Sequence, residues 1–120
     1  MHRAQTYLFA IVLFLLSALP VRADFISGDQ LRLYCTSQDP NDDAICIVYI
    51  TGAFDALTSM DQLAQTTSGA TPQFCPSAEV GPEELKQLTL AYLQQPDTNL
   101  DFGASLLIWA AATQAFGCEK

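Results

Sequence analysis

Histidine is nearly absent from this 120-residue chain: the only one is His2. If the apolar N-terminal leader is removed, no imidazole remains. That excludes a histidine general base, Ser-His and Cys-His nucleophile activation, and most transition-metal sites. Basic residues are scarce too. Lys and Arg number 5 against 13 Asp and Glu, a formal net charge of −8. Arg3 and Arg22 would leave with the leader, so Arg32, Lys86 and Lys120 would face all the acids alone. Nucleic acid is then a poor partner, because phosphate binding rests on Lys and Arg. An anionic membrane surface is disfavoured for the same reason, whereas a basic protein would be attracted. No Cys-x-x-Cys pair occurs, which argues against zinc. No metal and no cofactor is expected.

The leader itself has a recognisable pattern. Met1-His2-Arg3 is a short basic start, Tyr7 to Leu19 is almost wholly apolar, and Val21 and Ala23 are the small residues of a cleavage site. This reads as a secretory signal at residues 1–23, cut between Ala23 and Asp24. Its apolar run falls short of the roughly 20 residues that span a bilayer, so a retained anchor is disfavoured. The mature chain, residues 24–120, is one domain with a modest core. An even number of cysteines in a small exported chain, here Cys35, Cys46, Cys75 and Cys118, reads as two disulfides.

Helical periodicity dominates the mature chain. Ser27 with Gln30 three residues later makes a capping box for a short helix. Pro40 is expected to end that unit, with Asn41, Asp42 and Asp43 starting the next. Ile45, Val48, Tyr49, Gly52, Ala53, Ala56, Met60 and Leu63 recur at three- and four-residue steps, which predicts a helix burying that stripe. Gly52 on the stripe reads as a close-contact point between helices. The polar stretch from Thr66 to Pro82 is a long connection. Pro82 with Glu83 and Glu84 opens a third helix that stops at Pro96. The last helix carries Phe102, Leu106, Leu107, Trp109, Ala110, Thr113 and Phe116, and is expected to be the best buried. The fold class is all-α, a small disulfide-stapled four-helix domain.

Three constellations hint at chemistry and are better read as structure. Asp97 to Gly103 has oxygen donors at alternate positions, but a calcium loop needs Gly sixth and Glu twelfth, where this chain has Phe102 and Ile108. The pairs Asp42-Asp43 and Glu83-Glu84 sit at helix starts, where acids are commonplace. Asp55 lies among apolar residues but has no histidine to work with, so a structural or binding role is expected: bonding a backbone group or a tyrosine hydroxyl, or capping a neighbouring helix.

Taken in order, "SGDQLRLYC", "CIVYITGAFDA", "FCP", "AYLQQP" and a final "FGC" resemble the immunity proteins of the Rap/Tai type. These protect bacteria against peptidoglycan amidases delivered by type VI secretion. The most specific parts are Cys46, Tyr49, Ile50 and Gly52, then Asp55 and the Cys-ended last helix. The family more usually has Pro before the final Cys and Gly before the Tyr, where this chain has Gly117 and Val48. The resemblance implies a periplasmic, non-enzymatic inhibitor, often homodimeric, that occludes the amidase cleft with a projecting loop or helix end. The rival reading is an orphan periplasmic protein with a structural, envelope-stress or chaperone role on the same scaffold.

Cys35 ends one helix and Cys46 begins its antiparallel neighbour, while Cys75 and Cys118 flank the last two helices. The disulfides are therefore expected as Cys35–Cys46 and Cys75–Cys118. Partner contacts are expected on the connection from Thr66 to Ala78, with Gln73, Phe74 and Pro76 as the candidate residues.

Overall fold

The computed structural model describes Met1 and residues 24–119. Apart from Met1, the export signal expected at residues 1–23 lies outside them. Among the described residues there are four helices and no strand: α1 (Gly28–Thr36), α2 (Pro40–Ser68), α3 (Pro82–Leu93) and α4 (Ala104–Phe116). Each helix packs against the other three. The all-α architecture is as the sequence implies.

Local chemistry sets the boundaries. The Ser27 hydroxyl accepts the Gln30 amide at 3.2 Å and starts α1. Pro40 does not end a unit but begins one. Asp39 is the cap, accepting from the Asn41 amide at 2.8 Å, and Pro40 takes the first helical position, where its missing N–H costs nothing. The helix also outruns its expected end. α2 continues to Ser68, where Thr66, Thr67 and Ser68 satisfy their hydroxyls on the carbonyls of Leu63 and Ala64. Gly69, at φ 65°, then closes it in the left-handed conformation that glycine adopts without strain.

Both expected disulfides are present, with Cα–Cα distances of 5.1 Å for Cys35–Cys46 and 4.9 Å for Cys75–Cys118. The first joins the end of α1 to the first turns of α2, and both its cysteines are buried. Leu31, Ile50, Leu93 and Ile108 form the centre of the core around it. As expected, α4 contributes the most buried positions, Ala104, Leu107, Ile108, Ala111 and Ala112, but Phe102 precedes the helix, and both Phe102 and Leu106 are exposed. The residues before α1 pack against the turn before α4. Gly28 N–H donates to Phe102 at 2.8 Å, and Ala104 N–H to Ile26 at 2.9 Å. A Cβ at Gly28 would meet the tip of the Leu107 side chain and lie 3.1 Å from the Leu100 carbonyl, so a larger residue would displace that leucine. Lys86 on α3 pairs with Asp43 on α2, which holds its ammonium pKa above the usual lysine value.

The buried face of α2 differs from expectation. Cys46 and Ile50 are fully buried, and Ala53, Phe54 and Leu57 pack against the core. The expected stripe instead faces largely outward: Val48 is 69 % exposed and Met60 64 %, with Ile45, Leu63, Gly52 and Ala56 also exposed. The helix is rotated by about one residue, roughly 100°, from the expected orientation. Tyr49 and Ala53, at the margin shared by the two faces, keep partial burial. Gly52 is therefore not a packing residue within the domain, since a Cβ there would meet nothing within 4 Å. Asp55 is exposed as well and buries no acid.

It follows that Gly52→Ala should stabilise the dilute protein by about 0.5–1 kcal/mol through helix propensity alone. A thermal melt should show a rise of a few degrees, and a fall would mean that this face is covered.

Candidate functional site

The segment Gly69–Gly81 joins α2 to α3, and its middle is held in three ways. Asp61 on α2 accepts the Gln73 amide at 3.0 and 3.1 Å and the Phe74 amide at 3.4 Å. The Phe74 ring is buried edge-on against Phe54, with centroids 6.0 Å apart, and Phe54 in turn meets Phe116 at 6.1 Å. The Cys75–Cys118 disulfide then ties the segment to the end of α4. Two backbone bonds flank it: Cys75 N–H to the Phe116 carbonyl at 2.6 Å, and Cys118 N–H to the Gln73 carbonyl at 3.4 Å. From this frame Pro76, Ser77, Ala78 and Glu79 stand exposed. The loop is thus a rigid base with a free tip.

The candidate contacts divide accordingly. Pro76 lies on the tip and Gln73 at the base, both exposed. Phe74 does not face outward. Its apolar ring goes to the aromatic cluster, so it anchors the loop and is unavailable to a partner. Two residues to which the sequence pattern gave no site role come forward here. Asp61 lies four residues beyond Leu57 on the face of α2 that turns inward, and a carboxylate there was the available signal for a backbone anchor. Trp109, expected in the core, is 38 % exposed, and its indole N–H donates to Gln73 Oε1 at 3.2 Å.

Two concavities border this frame. A cleft of about 640 Å³ lies between residues 71–75 and the C-terminal half of α4, with Trp109, Thr113 and Glu119 on its walls. A smaller one of about 250 Å³ lies on the other side of Gln73 and Trp109, reaching Met60 on α2. Further along α2, Ala44, Ile45, Val48 and Tyr49 line an apolar groove of about 360 Å³. Burial, reinforced by the Asp24 carboxylate, pushes the Tyr49 hydroxyl above the usual tyrosine pKa. Among the described residues no group of His, Cys, Asp and Glu is arranged to hold a metal ion.

With this geometry established, the comparison with known families is decisive. The family model of Rap1a immunity proteins matches residues 27–118, from the cap of α1 to the last cysteine. The chain belongs to the Rap1a immunity protein family. A comparison with curated protein sequences finds no match. Membership implies an immunity role against a secreted effector, and with two disulfides it indicates an extracytoplasmic protein.

If Asp61 is the anchor of the loop, Asp61→Ala should cost about 1–2 kcal/mol. Hydrogen exchange should accelerate at the Gln73 and Phe74 amides while α1 stays protected. Unchanged exchange at those two amides would mean that the disulfide alone holds the segment.

Proposed function

We propose that this protein is a periplasmic immunity protein that binds a type VI-secreted peptidoglycan amidase and blocks its active-site cleft. The observation that carries this reading is the family match across residues 27–118. The disulfide-clipped loop supports it physically. A preorganised segment loses little conformational entropy on docking, and its exposed tip from Pro76 to Glu79 is free to enter a cleft. The acidic charge favours encounter with a basic effector surface. No catalysis is assigned to this chain, whose residues 24–120 contain no histidine.

A homodimer belongs to the same reading, with the outward face of α2 as its interface. That face runs from Ile45 to Leu63, about 27 Å at 1.5 Å per residue. It is largely apolar, with the one acid, Asp55, towards its edge. Two copies of an acidic protein repel wherever their charged surfaces meet, so an uncharged face is where a second copy approaches at least cost. Gly52 in the middle lets two helices cross closely. By length and composition α2 would also span a membrane, yet it packs against three other helices.

For the inhibitor, the exported protein should abolish cell-wall hydrolysis by a cognate amidase at equimolar ratio. Full hydrolysis at saturating protein, with no complex by calorimetry, would leave the orphan-scaffold reading. For the dimer, light scattering on the eluting protein at tens of micromolar should give twice the monomer mass, and Val48→Asp should return it to a monomer with its melt intact. A monomeric wild type would remove α2 as the interface.

A further inference from the structure

We propose that the cleft beside Trp109 is a receptor for an arginine side chain of the protein partner. The inference rests on the immunity reading and names the chemistry that its docking surface recognises. The cleft is walled in part by the base of the loop, residues 71–73 and Cys75, so it borders the surface proposed to meet the partner.

Its lining selects the occupant. Trp109 forms one wall, and the indole N–H is already committed to Gln73 Oε1 at 3.2 Å. That bond occupies the indole's one donor, so what Trp109 has left to offer a ligand is its ring and not a hydrogen. Thr113 likewise donates its hydroxyl proton to the Trp109 carbonyl at 2.8 Å, leaving lone pairs free. Among the described residues, the one charged side chain on the lining is Glu119. A ligand group satisfying these walls must be cationic for the carboxylate, rich in donors for the oxygens, and flat for the indole. Guanidinium meets all three conditions, stacking on the ring while forming directed bonds to a carboxylate. An ammonium group lacks the planar surface. An acidic group would face Glu119 and the negative charge of the whole chain. An apolar group would cover the carboxylate without pairing it.

The chain provides its own probe, because Trp109 is its single tryptophan. The test titrates the exported, disulfide-bonded protein with acetylated tri-arginine amide at physiological salt, following tryptophan emission. Tri-lysine and tri-citrulline amides serve as matched peptides, the latter replacing guanidinium by a neutral group of the same shape. A saturable emission change is expected with tri-arginine, at least fivefold weaker with tri-lysine, and none with tri-citrulline. Glu119→Gln should weaken tri-arginine binding about fivefold with an unchanged melting temperature. Equal response to tri-arginine and tri-lysine, or no effect of Glu119→Gln, would reduce the binding to general attraction by an acidic protein and overturn the proposal. Because no amidase is present, that failure is separate from failure to inhibit hydrolysis, which bears only on the immunity reading.

Discussion

The Cys35–Cys46 bond is the constraint around which this domain is arranged. It joins the end of α1 to the beginning of α2 while both cysteines are buried, so it fixes more than the distance between two helices. It fixes the rotation of α2 about its own axis. Once Cys46 points inward, Ile50, Ala53 and Leu57 join it at helical spacing, and Ile45, Val48 and Met60 are carried outward. Closing the short loop between these cysteines also removes freedom from the unfolded chain, worth roughly 2–4 kcal/mol in a domain with a small core.

Much of this was legible in the residues. Helix number and order came from periodicity and capping, and the cysteine pairing from antiparallel neighbours. The rotation of α2 was not legible, for a physical reason. This helix is apolar on two faces, and hydrophobic spacing cannot rank two stripes that both satisfy it. Cys46, a buried cross-link, is the residue that marks the inner face. Relative to that marker, Asp61 stands out as a carboxylate on that face, and Gly52 as a residue outside the core. The loop was harder to read. Phe74 belongs to a polar connection, but its place is decided by Phe54, distant in sequence, which also meets Phe116.

The two disulfides serve different parts of the molecule. The first is enclosed by the core and shares in its stability. The second lies at the periphery, where it joins the loop to the C-terminal end of α4 and works alongside Asp61 and the Phe74 ring. The anchors of the loop thus come from α2 and α4, and the cleft and the base of the loop are held as one unit. The exposed face of α2 is a further surface of the same helix. One long helix therefore supplies a wall of the core, an anchor for the loop and an outward apolar face.

The division of the loop into a fixed base and an exposed tip has a consequence for descent. Residues from Pro76 to Glu79 bear on none of the core, so substitutions there are nearly free of folding cost, whereas changes at Asp61, Phe74 or Cys75 are not. If the tip is the recognition surface proposed above, a lineage can retarget such a protein rapidly, tracking changes in an opponent's surface, while its framework stays almost still. Two relatives could share every helix and both cross-links and yet recognise unrelated opponents.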